Sequence, residues 1–385
     1  MTNRERALAV LRYQTYDRMP VVYFGFWRET LAKWAQEGHI APELAEGWGD
    51  GNGADFEIAR LLGFDFNWQS CFSSASFLKP YFESTIVKTL PDGTQHIRNG
   101  LGVTITAKAG AGSIPAEIDH LLKDRASWEE HFKPRLQWEP SRVEEAHIRI
   151  GQQLLPFGHG GLEALLSTPR DWPLSLHCGS LMGNIRNILG MENLCYLEVD
   201  DPDLLFEIID TVAELCYRCA EHALARGGVF DFGHFWEDIC FKNGPLVNPR
   251  LFAEKVGPHY RRITELLNRH GLDIVSLDCD GQIDTLIPAW IDNGVNTMFP
   301  IEVGTWNASI EPWRATYGKR IRGVGGMNKT VFARDRQAVD AEITRLMRLV
   351  DLGGFIPCPD HRIAPDAEWD NVCYYAERLR AALGG

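Results

Sequence analysis

The chain has 385 residues, of which 45% are hydrophobic and 24% are charged, and its formal net charge is −13. This composition is typical of a globular protein with a large core, and it excludes collagen, coiled coil and extended disorder. Because nucleic acids and anionic lipid surfaces repel a negatively charged protein, the charge disfavours both nucleic acid and membrane as partners.

The predicted elements alternate short apolar strands with longer amphipathic helices, which indicates repeated βα units. Helices are predicted at 4–13, 202–226, 249–270, 283–293, 310–317 and 336–352. Strands are predicted at 20–26, 174–177, 229–235, 274–279, 297–302, 321–325 and 355–358, with a further candidate at 154–157. Because eight parallel strands close a (β/α)8 barrel, the pattern predicts an α/β fold of the TIM-barrel type.

An excursion with a different pattern is predicted over about 82–140. Two β-rich stretches flank a Pro-Asp-Gly sequence at 91–93, which is typical of a hairpin turn. Farther along, Trp128, Trp138 and many charges suggest a lobe on the surface. We therefore expect one barrel domain, 1–385, with an inserted β-hairpin lobe.

The start of the chain and its cysteines bear on the location of the protein. Charges at Arg4, Glu5 and Arg6 interrupt the apolar stretch that a secretory signal would need. No run approaches the roughly 18 apolar residues of a membrane span. Nine cysteines without a secretory signal favour reduced thiols over a disulfide framework. These features predict a cytoplasmic protein.

Polar residues follow most of the predicted strands, and the carboxyl ends of the strands are where a barrel of this kind forms its site. The candidate catalytic or metal-binding residues are Glu237, Asp278, Asp280 and His361. The candidate substrate-binding residues are Trp27, Arg28, His177, His234, Trp236 and Asn328. The competing interpretation of each aromatic residue or histidine is an ordinary place in the core.

Strand periodicity places Asp278 and Asp280 on one face and Cys279 on the other. Two buried carboxylates at this spacing repel each other, so either one is protonated or a cation lies between them. The competing interpretation is that both cap a helix that begins near Ile283. A thiolate site with Cys279 and Cys358 as zinc ligands is a further alternative, although a buried free cysteine is more often a small hydrophobic residue.

Several segments of the chain resemble the uroporphyrinogen decarboxylase superfamily, and they occur in the same order there. The matching segments are Arg4 to Val21, Asn243-Gly-Pro-Leu-Val-Asn-Pro249, Asp278-Cys-Asp-Gly281, Asn293 to Glu302, Gly325-Gly-Met-Asn-Lys329 and Gly353 to His361. The resemblance implies a TIM barrel, in agreement with the strand count. Because the superfamily contains both decarboxylases and methylcobalamin-dependent methyltransferases, the fold alone does not decide the reaction.

The end of the first strand departs from the decarboxylase pattern. True decarboxylases of the superfamily carry an N-terminal Arg-Gln-Ala-Gly-Arg that grips substrate carboxylates, whereas this chain has Tyr23-Phe-Gly-Phe-Trp27-Arg28. Without that arginine pair, a polycarboxylated porphyrinogen lacks its main cationic contacts. The resemblance therefore favours the methyltransferase-like branch over the true decarboxylases.

The methyltransferases of the superfamily bind zinc through a His-x-Cys pair and a distant Cys. The resemblance places Asp278, Asp280 and His361 at these three positions, and Glu237 follows the preceding strand. Carboxylates and an imidazole still suit zinc, and they would leave it a stronger Lewis acid than thiolates would. Zinc is therefore the expected metal.

The expected function is that of a corrinoid-dependent methyltransferase, which moves a methyl group between a small thiol, amine or methyl ether and a cobalamin. Because the chain has no Asp-x-His-x-x-Gly corrinoid motif, we expect the cobalamin on a separate carrier protein. The alternative enzyme is a metal-independent decarboxylase or lyase, in which Asp280 or Glu237 donates a proton and His361 orients the substrate. A tetrapyrrole-binding protein without turnover is a third hypothesis. The resemblance also implies a homodimer.

Overall fold

Eight short parallel strands alternate with helices in the computed structural model, which describes residues 1–108, 115–150, 153–227 and 230–384. We number these barrel strands β1 to β8. Their bounds are Val22–Tyr23 for β1, Phe66–Asn67 and Cys71–Phe72 for the two halves of β2, Ser175–His177 for β3, Phe232–Trp236 for β4, Val275–Asp278 for β5, Thr297–Ile301 for β6, Arg322–Met327 for β7 and Phe355–Pro359 for β8.

Parallel pairing joins the barrel strands in chain order. The first half of β2 pairs with β1, the second half pairs with β3, and β3 to β8 pair successively. A parallel bridge between Phe26 and Ile363 connects the end of β1 to the segment after β8, and the Ile363 amide donates to the Gly25 carbonyl at 3.0 Å. The predicted TIM-barrel fold is confirmed.

One predicted barrel strand is wrong. Segment 154–157 contributes to an antiparallel hairpin of His147–Ile150 and Gln153–Pro156, in which the Leu154 side chain is exposed. The second barrel position belongs to β2, whose halves of two residues each are too short to give a periodic signal. The strand predicted at 229–235 corresponds to β4, and its predicted first residue, Val229, lies outside the described residues.

Helices pack around the barrel, and those that the sequence predicts begin close to their predicted positions, whereas Arg28–Gln36, Gly53–Leu62, Gly183–Asp200 and Trp369–Ala382 are among those it does not predict. The α-helices outside the lobe are Asn3–Leu11, Arg28–Gln36, Pro42–Glu46, Gly53–Leu62, Gly183–Asp200, Pro202–Ala225, Pro249–Leu251, Gly257–Arg269, Ile287–Asp292, Val303–Trp306, Ile310–Tyr317, Arg336–Val350 and Trp369–Ala382. A π-helical turn, Phe252–Val256, and two 3-10 turns, Gly318–Arg320 and Lys329–Ala333, complete them. Side-chain caps set several helix starts, as where Asp335 accepts from the Ala338 amide at 2.8 Å.

The lobe between β2 and β3 contains a four-stranded antiparallel sheet. Its strands are Thr85–Thr89, Gln95–Arg98, Val103–Ala107 and Glu117–His120, and they confirm the predicted hairpin around 91–93. Short helical segments follow at Arg125–Ser127, Trp128–Phe132, Lys133–Leu136, Ser141–Glu144, Phe157–Gly161 and Leu162–Ser167. Residues 109–114, within the predicted excursion, lie outside the described residues.

Trp128, one of the residues that suggest a lobe on the surface, packs inside the protein. Its side chain is buried, and its indole nitrogen donates to Glu207 Oε1 at 3.1 Å. Glu207 lies on helix Pro202–Ala225, so this tryptophan joins the lobe to the outer helices of the barrel. A buried indole needs such a hydrogen-bond acceptor, which the sequence pattern does not reveal.

Aromatic side chains fill the barrel below the carboxyl ends of its strands. The rings of Trp68 and Phe232 stack with centroids 4.7 Å apart, and Phe299 lies 6.3 Å from Trp68. Phe24 packs edge-on against Phe299 at 4.5 Å. This packed layer forms an apolar floor, and any cavity in the barrel must lie above it. Among the described residues, no helix is both long and apolar enough to span a bilayer.

A buried arginine ties the lobe to the segment that follows β2. The Arg142 guanidinium donates to the backbone carbonyls of Ala75 at 2.7 Å, Phe77 at 2.6 Å, Arg135 at 2.5 Å and Gln137 at 2.8 Å. These carbonyls belong to two separate segments, 75–77 and 135–137, so a single side chain binds acceptors from both of them.

We expect Arg142→Met to lower the free energy of unfolding by roughly 2 to 4 kcal/mol, because it leaves several buried carbonyls without a donor. Urea denaturation would measure the loss. The control is Arg250→Met, since the Arg250 side chain is 84% exposed. Equal stability of the two variants would contradict the anchoring role of Arg142.

Candidate active site

A cavity of about 450 Å³ lies at the carboxyl ends of the strands, above the aromatic floor. Every residue that lines it follows or ends a barrel strand or belongs to a loop between them. The lining residues are Phe24, Asp50, Gln69, Cys71, Ser73, His177, His234, Trp236, Asp238, Asp278, Asp280, His361 and Arg362. The concentration of polar groups in an enclosed space makes this the candidate active site.

Three aspartates form the centre of the cavity. Carboxylate oxygens of Asp238, Asp278 and Asp280 lie within 4.8 Å of one another. Asp278 and Asp280 share a face because side chains alternate along the end of β5, and Cys279 between them is buried outside the cavity lining. Asp238 joins them from the end of β4, where its backbone has a left-handed φ of 49°.

Polar and aromatic neighbours hold these groups in place. Gln69 Nε2 donates to Asp278 Oδ2 at 2.6 Å, and the Asp280 amide donates to Asp238 Oδ1 at 3.0 Å. His361 Nε2 lies 3.2 Å from Asp280 Oδ2. The structure therefore brings together Asp278, Asp280 and His361, which are far apart in the chain.

Two rings orient the His361 imidazole. Trp27 stacks on it with centroids 5.6 Å apart and planes inclined by 23°, and Phe24 meets it edge-on at 5.4 Å. Trp27 thus contacts the site through His361, although it does not itself line the cavity. Packing on two sides fixes the direction in which Nε2 points.

Burial and the charges of neighbouring acids disfavour ionisation of Asp238 and Asp278. Burial, followed by the charges of Asp238 and Asp280, raises the pKa of Asp278 well above its ordinary range. Burial, followed by the charge of Asp280, raises the pKa of Asp238 to about 7. Either protons or a cation must compensate this cluster near neutral pH.

Two buried histidines lie on the same side of the cavity. Burial lowers the pKa of His177 to about 4 and that of His234 to about 3, so both imidazoles are neutral at pH 7. The Gly179 amide donates to His177 Nδ1 at 3.2 Å. Within the described residues, neither ring nitrogen of His234 has a hydrogen-bond partner. A buried imidazole in this state can accept or donate a hydrogen bond to a bound molecule.

The predicted ligand Glu237 lies outside the aspartate cluster. Its carboxylate accepts from Ser180 Oγ at 3.0 Å and from the hydroxyl of Tyr260. It also accepts from the amides of Leu181, Met182 and Gly183 at 2.8, 2.9 and 2.6 Å. These donors occupy both carboxylate oxygens, so Glu237 caps the amino terminus of helix Gly183–Asp200 and is not available as a metal ligand.

Four other predicted residues also lie apart from the cavity. Arg28 lies over the ring of Trp48 at 6.0 Å, in a neighbouring depression. Asn328 accepts from the Thr330 amide at 3.1 Å and caps a 3-10 turn. Cys279 and Cys358 are buried and do not line the cavity. The structure therefore does not place the alternative thiolate ligands at the site.

The donor set suits a divalent cation. Three carboxylates and one imidazole are ligands that zinc and harder divalent metals accept. Asp280 Oδ1 is buried and has no hydrogen-bond partner among the described residues, which leaves an acceptor free for a ligand. The sequence prediction missed Asp238 and Gln69. A left-handed turn brings Asp238 to the cavity, and Gln69 reaches it from the interruption of β2.

The lining carries little available positive charge. Its one guanidinium, that of Arg362, donates to Asp50 Oδ1 at 3.1 Å and Oδ2 at 2.6 Å. Asp50 thus neutralises Arg362, and the three remaining aspartates dominate the lining. A polyanionic ligand would meet repulsion here unless a bound cation compensates it.

Comparisons with known proteins support the fold. The sequence model of the uroporphyrinogen decarboxylase (URO-D) family matches residues 168–382. A methyltransferase from Methanosarcina mazei is similar in structure, with a TM-score of 0.58, 14% identity and 99% of each chain covered. A B12-independent methionine synthase from Shewanella sp. W3-18-1 gives a TM-score of 0.48 and 12% identity, over 95% of this chain and 98% of that one. The comparison with curated protein sequences finds no match.

We expect Glu237→Gln to lower the free energy of unfolding by about 3 kcal/mol or more, because the amide nitrogen cannot accept from the helix amides. Urea denaturation measures this loss, and a metal titration of the folded variant should give an unchanged affinity. Unchanged stability together with a lost metal site would show that Glu237 acts as a ligand instead.

The contribution of Asp238 to the stability of the metal-free protein should grow as the pH falls from 8 to 5. The pKa of Asp238 in the folded state, about 7, exceeds its ordinary 3.8, so the folded state takes up the proton first. The stabilisation from this proton is complete below the ordinary pKa of 3.8 and is lost as the pH rises through the folded-state pKa of about 7. Between these two values, the loss lowers the free energy of unfolding by up to roughly 1.4 kcal/mol for each unit that the pH rises.

Thermal denaturation in excess chelator, for the wild type and Asp238→Asn, would measure this dependence. The variant should show a shallower slope over this range. Asp273→Asn is the matched control, because Asp273 pairs with Arg12 away from the cavity. The same slope in all three proteins would rule out the raised pKa of Asp238.

Proposed function

Because the chain belongs to the uroporphyrinogen decarboxylase family, we propose that it is a metal-assisted methyltransferase, which moves a methyl group between a small substrate and a corrinoid on a partner protein. The observation that carries the proposal is the convergence of three aspartates and His361 in one enclosed cavity. This set offers a metal site. Among the described residues that line the cavity, the only guanidinium is that of Arg362, and because it is paired with Asp50, a polycarboxylated porphyrinogen would find no free guanidinium there.

Asp238, Asp278, Asp280 and His361 would hold the metal. When bound, a divalent metal supplies Lewis acidity, which polarises a substrate heteroatom and makes methyl transfer to or from it easier. Gln69 orients Asp278 through its hydrogen bond, and Trp27 orients His361 by stacking. Loss of such a supporting contact typically weakens metal binding by about 10- to 100-fold.

The remaining lining residues act on the substrate directly. His234 offers two ring nitrogens without partners in the described part of the chain. One nitrogen of the neutral imidazole can accept a hydrogen bond from a substrate N–H, O–H or S–H group, and the other can donate a hydrogen bond. Phe24 and Trp236 line the cavity beside the aspartates and limit the access of water. Exclusion of water strengthens each polar contact in the cavity.

A separate carrier protein is part of the proposal because the sequence lacks a corrinoid-binding motif. The carboxyl-terminal face of the barrel is where such a carrier would deliver its cobalt to the cavity. Zinc as the metal, a cytoplasmic location and a homodimer stay predictions made from the sequence.

The raised pKa of Asp238 favours a second candidate, a metal-independent lyase. A carboxyl group whose pKa is about 7 can donate a proton at neutral pH, as a decarboxylase requires when it protonates a carbanion. Asp238 would take the role that the sequence suggested for Asp280 or Glu237. Chelation separates the two candidates, because only the methyltransferase needs the metal.

We expect Asp280→Asn and His361→Ala to weaken zinc binding by more than about 100-fold, and Gln69→Leu to weaken it by about 10- to 100-fold, as is typical for a group that supports a ligand. Competition with a chromophoric chelator would measure the affinities. Asp273→Asn is the control and should bind zinc as the wild type does.

Methyl transfer to or from free cobalamin would be measured on the same proteins, before and after chelation. The proposal requires that activity falls with loss of metal and returns when metal is restored. Full activity after chelation, with no zinc bound by the wild type, would refute the metal-assisted mechanism.

A further inference from the structure

The barrel wall is interrupted at β2. Phe66–Asn67 pairs with β1 and Cys71–Phe72 pairs with β3. The Trp68 amide still donates to the Tyr23 carbonyl of β1 at 3.0 Å, and the Ser70 carbonyl accepts from the Ser175 amide of β3 at 3.2 Å, so the change of partner strand falls at Gln69. A second cavity of about 670 Å³ lies beside this interruption, and we call it the side cleft. Asp50, Gln69 and Cys71 line both the side cleft and the aspartate cavity. The two spaces therefore share a wall made of a few side chains.

The lining of the side cleft contains aromatic and aliphatic side chains together with charged and polar ones. The residues lining it are Gly49, Asp50, Gly51, Asn52, Gly53, Phe56, Glu57, Arg60, Gln69, Ser70, Cys71, His147, Ile148, Arg149, Leu154, Trp172 and Leu174. The rings of Phe56 and Trp172 lie 5.1 Å apart, and the carboxylate of Glu57 pairs with Arg60 at 2.7 Å. An aromatic ring fits such a lining better than a small charged molecule does.

An unsatisfied polar group marks the boundary between the two spaces. The hydroxyl of Ser70 is buried and has no hydrogen-bond partner in the described residues. It lies beside Gly51, where a Cβ would come within 3.9 Å of Ser70 Oγ. A buried hydroxyl without a partner calls for a ligand or water that supplies one, and a substituent on a bound ring could do so.

Gln69 connects the side cleft to the aspartate cluster. Its side chain lines the side cleft, and it donates to Asp278 Oδ2 at 2.6 Å. A molecule that lies in the side cleft and extends past Gln69 would place its end beside the aspartate cluster. The carboxyl-terminal opening of the barrel would then remain free for the carrier.

We propose that the side cleft binds the aromatic ring of the substrate, whose methoxyl group reaches past Gln69 to the aspartate cluster. This inference rests on the proposed function and names its substrate class as aromatic methyl ethers. The oxygen–methyl bond would break with its electron pair left on oxygen, and a reduced Co(I) carrier would supply the pair for the new bond to the methyl carbon. The phenolate then takes up a proton.

Binding of probes to the zinc-loaded full chain tests the side cleft apart from catalysis. The probes are 2-methoxyphenol, its demethylated product catechol, and methylamine, and titration calorimetry gives each dissociation constant. Leu154→Asp places a charge in the cleft at a side chain that is 52% exposed, so folding should not suffer. Leu166→Asp, at a leucine 56% exposed outside the cleft, is the matched control.

We expect Leu154→Asp to weaken the binding of both ring compounds by about tenfold, and to leave methylamine binding unchanged. Trp172→Ala should weaken ring binding by about three- to tenfold, since it removes an aromatic contact. Trp138→Ala, a half-buried tryptophan in the lobe, is its control. Ring compounds that do not bind the wild type, or that bind all variants equally, would overturn the inference.

Methyl transfer from 2-methoxyphenol to Co(I) cobalamin supplies the second measurement. Ring binding that depends on Leu154, without methyl transfer from any donor, would refute the proposed function and uphold the side cleft as a ring-binding site. Methyl transfer from 2-methoxyphenol that is unaffected by Leu154→Asp and Trp172→Ala would uphold the function and refute the side cleft.

Discussion

The mutual repulsion of three carboxylates in a buried cavity is the constraint on which the rest of the site depends. Acceptor oxygens of Asp238, Asp278 and Asp280 lie within 4.8 Å of one another. Two unit charges at this separation repel by on the order of 3 kcal/mol at an effective dielectric constant of about 20. The barrel keeps the groups together because the ladder between β4 and β5 extends up to them, where the Glu237 amide donates to the Asp278 carbonyl at 2.8 Å. A cation or a shared proton then stabilises the three carboxylates that the backbone holds close together.

Glu237 and Asp238 show how surroundings decide the role of a carboxylate. Glu237 is fully buried, yet five donors satisfy it, and it holds the start of helix Gly183–Asp200. Asp238 is the next residue, but a left-handed backbone turns it into the cavity, where the amide of Asp280 donates to one of its oxygens. Its neighbours there are other acids. Glu237, whose acceptor oxygens are occupied by donors, therefore stabilises the fold, whereas Asp238, which lies among other acids, belongs to the candidate active site.

The sequence predicts the regular parts of this protein and misses the irregular ones. Seven of the eight barrel strands, β1 and β3 to β8, follow from apolar runs in the sequence, and the shared face of Asp278 and Asp280 follows from strand alternation. The position of Asp238 depends on one positive φ, which no periodic pattern encodes. In the same way, β2 escapes prediction because its halves are too short, and the exposed hairpin at Leu154 imitates a barrel strand.

Next to the interrupted strand β2, hydrogen bonds between side chains help to hold the barrel wall in place. Near Gln69, the side chain of Asn67 donates to Asp55 Oδ2 at 3.0 Å, and Asp55 also accepts from Trp48 Nε1 at 2.8 Å and from the Gly51 amide at 2.9 Å. Burial raises the pKa of Asp55, so these donors are what keep its carboxylate in place. A wall held by side chains, unlike a continuous ladder, can present Gln69 to two spaces at once. The irregularity of β2 therefore places Gln69 in the wall that the aspartate cavity and the side cleft share.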